Sequence, residues 1–220
     1  MDTLGYILKK YDLGLSEKIE IPNVGRNDLA SLLSELNFKV GVEVGVECGL
    51  YSEVLCRNNP QMKIYGVDPW ESLEACIKNS PKRRTDNHSS QKTCDRYYES
   101  AMRRLAPYPN SIILKEYSVD AVKRFEDKSL DFVYIDANHD YSFVIDDITW
   151  WSKKVRKGGI VSGHDYYNTS SSSKVTMQVK RAVNDYVKEN GIKPLIIWGA
   201  HAVIPGMIRD KWRSWMWVKS

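Results

Sequence analysis

The sequence contains no CxxC pair and no spacing of cysteine and histidine that would hold zinc; its four cysteines, Cys48, Cys56, Cys76 and Cys94, lie apart. That excludes a disulfide-framed scaffold and a zinc module, and leaves reduced thiols in a cytoplasmic protein as the expectation. Long apolar runs are also missing. The most apolar late stretch, residues 195–208, is broken by His201 and Pro205 and is too short to span a bilayer. The opening "MDTLGYILKKYDLG" carries charge through its only apolar part, which argues against a secretory leader and for a chain with no membrane partner. The basic run in "SPKRRTD" could steer an anionic acceptor, but a solvated face is the commoner explanation. A net charge of +4 permits an anionic partner without demanding one, whereas a nucleic-acid binder concentrates its basic residues. Neither repeat nor linker interrupts the 220 residues, so one domain spanning residues 1–220 is expected.

What is present is alternation. Short apolar runs, "FKVGVEV", "KIYGV", "SIILK", "DFVYI", "GGIVSG", "PLIIWG" and "SWMWVK", are separated by longer helical patterns, the signature of parallel βαβ units. Helices are expected over residues 52–58, 93–105, 120–125, 140–155 and 174–190. Phe132, Val133, Tyr134 and Ile135 are apolar without alternation, as in a strand covered on both faces. The expected fold is α/β: a Rossmann-like, doubly wound sheet of seven strands. A helical cap over residues 1–36 precedes it, and "RNDLASLLSEL" offers Leu29, Leu32, Leu33 and Leu36 to the sheet. Two polar segments, residues 79–92 and 168–174, follow the second and fifth strands and read equally well as lids over a site or as solvated loops. The tryptophans Trp150, Trp151, Trp212, Trp215 and Trp217 are expected to pack on the sheet, and the "KKVRKGG" stretch to close a helix with cations and glycine.

The first strand runs into "EVGVECG", with an acid, Glu43, and then Gly45 and Gly49 four apart. A glycine turn between strand and helix brings backbone N–H groups close to a ligand above the sheet. The dinucleotide fingerprint needs G-x-G-x-x-G, which is absent. A carboxylate at the strand end would repel a pyrophosphate and attract an ammonium or sulfonium group, so the ligand favoured is a cationic adenosine derivative. Asp68 ends the second strand 25 positions after Glu43, where a carboxylate can take both hydroxyls of a ribose. Taken singly, these glycines could serve packing and Asp68 could cap a helix.

With "EVGVECG", "VDPW" and "LDFVYIDANHDYSFVIDDITWWSKKVRKGGIVSGHDY", residues 40–166 resemble the class I S-adenosylmethionine-dependent methyltransferases, in particular the small-molecule O-methyltransferase-like group with an "IDG(D/N)H-Y" segment after strand four. The resemblance implies that the last strand is antiparallel, that S-adenosylmethionine is the cofactor, and that Glu43, Gly45 and Gly49 line its methionine part. Glu47, Ser52 and Asp136 fall in the same cofactor-binding set; Asp68, followed by Pro69, would hold the ribose, and Ser118 and Val119 the adenine.

Methyl transfer is an in-line displacement, so a base is needed only if the acceptor loses a proton. Candidates cluster in "DANHDY" and "SGHDYYN": His139 first, then His164, with Asp136 beside them; a loop histidine that is merely hydrogen-bonded competes with either. By the same resemblance Asp136 and Asp165 fall where catechol-type enzymes hold Mg²⁺, although Tyr166 stands where an asparagine-type ligand would. The expected partner is a small-molecule acceptor, with a homo-oligomer open. The alternatives are a non-catalytic scaffold on the same fold, an aminopropyl transferase, a nicotinamide oxidoreductase disfavoured by the glycine spacing, and a nucleic-acid methyltransferase. The last lacks an Asn-Pro-Pro-Tyr-like segment after strand four.

Overall fold

The computed structural model describes residues 2–79, 90–169, 177–199 and 212–220. Most of both polar loop segments, 80–89 of the first with its basic run "PKRR" and 170–174 of the second, lies outside them. The described elements run α1 (Thr3–Lys10), β1 (Lys18–Ile21), α2 (Arg26–Glu35), β2 (Val40–Val44), α3 (Leu50–Asn58), β3 (Lys63–Val67), α4 (Leu73–Asn79), α5 (Gln91–Leu105), β4 (Ser111–Leu114), α6 (Ser118–Ala121) with a following 3₁₀ turn, β5 (Leu130–Ile135), α7 (Tyr141–Lys154), β6 (Val155–Gly163), α8 (Val179–Glu189), β7 (Leu195–Trp198) and β8 (Ser214–Val218).

The strands form one sheet in the order β1-β7-β8-β6-β5-β2-β3-β4. All pairings are parallel except those of β8, which runs antiparallel to β6 and β7. The seven expected strands are there, and an eighth joins them. β1, expected as part of a helical cap, is a strand that pairs Lys18 with Leu195 and Ile21 with Trp198 at the sheet edge. Ile19 and Ile21 point inward while Lys18 and Glu20 face out, so four alternating residues suffice once β7 supplies the ladder.

The period of two along β5 divides the core. Phe132 and Tyr134 join Leu29, Leu32, Leu33 and Leu55 on the face covered by α2 and α3, while Val133 and Ile135 join Ile148, Trp151 and Val183 on the face covered by α7 and α8. The cations Lys153 and Lys154 do close α7. The glycines do not cap it: Val155 is already extended, and Gly158 and Gly159 belong to β6, where the register with β5 shifts between Leu130 and Phe132. No described helix is long and apolar enough to cross a membrane.

Candidate functional site

The parallel strands β2, β3, β4 and β5 deliver their carboxyl ends to one rim of the sheet, where a cavity of about 560 Å³ opens. Such a crevice outside the carboxyl ends of parallel strands is where open α/β sheets hold ligands.

The turn after β2 forms the floor. Gly45 has φ 93°, and a Cβ there would lie 1.9 Å from the Asp136 carbonyl oxygen, so the β2 and β5 ends approach as closely as they do because this residue has no side chain. Gly49, with φ 78°, is the N-cap of α3, and a Cβ would press on Ala101 at 3.2–3.3 Å. Asp68 ties the turn together. Its Oδ2 accepts from Val46 N at 3.0 Å and Glu47 N at 2.9 Å, and its Oδ1 accepts from Trp70 N at 2.8 Å. The Trp70 indole N–H donates to the Glu47 carbonyl at 2.7 Å.

Glu43 lies at the inner end of the cavity, 2 % exposed, and accepts a hydrogen bond from the Ser52 hydroxyl. Burial pushes its carboxyl up to about 8, with the Ser52 hydrogen bond pulling the other way. A cationic ligand above it would favour the ionised form. Burial also raises the Glu47 carboxyl, and Asp136 and Asp68 add to this.

At the β5 and β6 ends, His139 Nε2 lies 2.6 Å from Asp165 Oδ2, and His164 Nδ1 lies 3.2 Å from Asp165 Oδ1 and 3.8 Å from Asp136 Oδ2. Burial works against ionising Asp165, but the two histidines hold its carboxyl well below the usual range. His164 is raised despite its burial, by Asp165 and Asp136, while burial raises Asp136. One oxygen or nitrogen each of Asp136, His139 and Asp165 lie within 4.8 Å of one another. The Tyr166 hydroxyl donates to Asn184 at 2.6 Å, and Asn138 Oδ1 accepts from Asp140 N at 2.8 Å.

The opposite wall is built by α6 and α7. Ser118 donates to Asp147 Oδ1 and accepts from the Trp151 indole N–H at 2.8 Å. Asp147 is buried, which pushes its carboxyl up to about 7 against the Ser118 hydrogen bond. Trp151, Trp215 and Trp217 are in the core as expected, and Trp150 packs against it while also lining the cavity; Trp212 lines the cavity too, stacked on Tyr167 at 4.6 Å.

Of the residues singled out from the sequence, Glu43, Gly45, Glu47, Asp68, Pro69, Ser118, Val119, Asp136, His139 and Asp165 share the cavity wall. Gly49 and Ser52 support the wall from behind. His164 is buried behind the carboxylates and is absent from the main cavity, lining only a minor pocket beside it. Among the charged wall residues, Arg26, Asp146 and Asp147 escaped the sequence reading. Arg26, at the start of α2, puts Nη1 3.5 Å from Asp136 Oδ2. Asp147 sits in "VIDDITWW", where an acid pair within an apolar helix was the available signal.

A family model described as a methyltransferase domain matches residues 42–166. No curated protein matches the chain. Among solved structures, the O-methyltransferase TomG of Streptomyces achromogenes, in complex with SAM, is 16% identical, with 100% of this chain and 91% of that one covered and a TM-score of 0.58. An O-methyltransferase of Bacillus cereus, in complex with SAH, is 14% identical, with 99% and 90% covered and a TM-score of 0.57. The family match spans more than half of the sequence, from the glycine turn to the second acid of the cluster, and the shared fold extends over the whole length: the chain belongs to the methyltransferase-domain family.

Proposed function

We propose that the protein transfers a methyl group from S-adenosylmethionine to an oxygen of a small-molecule acceptor, with His139 as the base. The observation that carries this reading is the placement of a histidine–carboxylate pair, His139 and Asp165 at 2.6 Å, on the wall of the same cavity as the glycine turn and its two strand-end acids. The cofactor supplies an electrophilic methyl on a sulfonium. Glu43 and the turn hold its methionine part, Ser52 fixing the Glu43 carboxyl; Asp68 and Pro69 face the ribose, and Ser118, Val119 and Asp147 face the adenine. Asp165 accepts from His139 Nε2–H, which makes Nδ1 the basic nitrogen that takes the acceptor's proton as its oxygen attacks. Substituting His139 by Ala should cut turnover roughly 100-fold or more while S-adenosylhomocysteine affinity stays unchanged; equal loss of both would make the residue structural.

A second reading rests on the grouping of Asp136, His139 and Asp165 within 4.8 Å. These three would hold a divalent cation, which would lower the pKa of an acceptor hydroxyl and replace the base. With one nitrogen donor and Tyr166 turned to Asn184, the set is poorer in oxygen than Mg²⁺ prefers. Full activity after exhaustive chelation would exclude it. Four free cysteines, three of them buried, support a cytoplasmic setting. A homo-oligomer is the remaining expectation, and sedimentation of the purified chain tests it.

A further inference from the structure

The cavity wall is unbalanced in charge. Glu43, Glu47, Asp68, Asp136, Asp146, Asp147 and Asp165 line it, and Arg26 is the one lysine or arginine among the described lining residues. The excess suits the sulfonium and ammonium of the proposed cofactor, but its amino-acid head also carries a carboxylate, which those acids would repel. A carboxylate placed there needs a cation, and planar guanidinium is the group best matched to it.

Arg26 is held where that cation is required. It is the first residue of α2, and its guanidinium lies 5.1 Å from the centre of the Tyr51 ring. The Tyr51 hydroxyl donates to the Arg26 carbonyl at 2.7 Å, so one side chain from α3 secures both the backbone and the head group. On the other side Nη1 meets Asp136 Oδ2 at 3.5 Å, an ion pair longer than a tight fork. The guanidinium therefore lies between the Tyr51 ring and Asp136 at the end of β5, on the wall of the cavity that Glu43 and Gly45 also line. Its charge is felt at Glu43, Glu47, Asp136 and His164.

We infer that Arg26 binds the carboxylate of the cofactor's amino-acid head, an inference that rests on the S-adenosylmethionine reading above. Two ligands separate this role from a general one: S-adenosylhomocysteine has the amino-acid head, and 5′-methylthioadenosine lacks it. In calorimetric titrations, Arg26→Met should weaken S-adenosylhomocysteine roughly 10–100-fold, the scale of a lost charged hydrogen bond, and leave 5′-methylthioadenosine within about 2-fold. Arg26→Lys, which keeps the charge but not the fork, should lose less than Arg26→Met. An equal loss for both ligands would make Arg26 a structural residue, and unchanged affinity for S-adenosylhomocysteine would dismiss it; either overturns the inference alone. A wild-type chain that binds neither ligand would instead sink the cofactor reading beneath it.

Discussion

In the half of the sheet made by β4, β3, β2 and β5, every pairing is parallel, and these strands end on the cavity. In the half made by β6, β8, β7 and β1, the antiparallel β8 is inserted between two strands, tryptophans Trp215 and Trp217 stack at 5.2 Å, and β1 meets β7 from the far end of the chain. The first half places ligand-facing residues within a few positions of a strand end. The second mostly supplies a buried platform, adding Asp165, Met177 and Trp212 to the wall. Binding should therefore be sensitive to local chemistry in one half, and stability to long-range packing in the other.

The sharpest way to break that contrast is Gly45→Val. The positive φ alone costs about 1–3 kcal/mol, and the side chain would collide with the Asp136 carbonyl. The expected result is a low soluble yield and no calorimetric binding of S-adenosylhomocysteine by whatever folds; normal binding would remove the close approach of β2 and β5 as a requirement. Ile19→Ala tests the other half. Ile19 is 6 % exposed, and its truncation should cost about 2–5 kcal/mol of stability in denaturant titrations with ligand affinity unchanged. A parallel loss of affinity would show that the edge strand shapes the site.

Asp68→Ala should do both things at a smaller scale. It removes an acceptor from Val46 N, Glu47 N and Trp70 N, so affinity should fall by about 1–3 kcal/mol together with a lower unfolding midpoint. The last effect concerns pH. The Glu43 carboxyl moves from 4.5 up to about 8 on folding, so the folded chain binds more protons than the unfolded one in that window. Stability then falls as pH rises from about 4.5 to 8 and levels off above. Asp147, moving from 3.8 to about 7, adds in the same direction. Glu43→Gln should flatten the curve and, at about 1.36 kcal/mol per pH unit, gain about 3 kcal/mol at pH 8 relative to pH 5; an unchanged slope would place the titration elsewhere.

The parallel half was legible in the sequence because its central strands are contiguous apolar runs, and each ends in a residue with distinct chemistry: Glu43, Asp68, Asp136. β1 was not, because Lys18 and Glu20 interrupt its two isoleucines and its partner lies at the other end of the chain. Arg26 was hidden by its own helix, whose leucines account for the pattern without it. His164 had the right type and position for a base, but burial is set by packing that no spacing records. Trp150 and Trp151 are adjacent, and only the phase of α7 sends one to the cavity and the other to the core.

That helix has a further consequence. His139 stands two residues before α7, and Phe143, Asp147 and Trp150 project from it into the cavity. At 1.5 Å per residue, the span from the start of α7 to Asp147 is about 9 Å of stiff rod. The α7 rod thus works as a gauge block. It sets the distance between Asp147 and His139, the two wall residues to which the proposal gives the adenine and the acceptor's proton. A proline or an inserted residue within its first two turns would keep every one of these residues in the chain but move Asp147 and Trp150 relative to His139, and so spoil the alignment on which an in-line displacement depends.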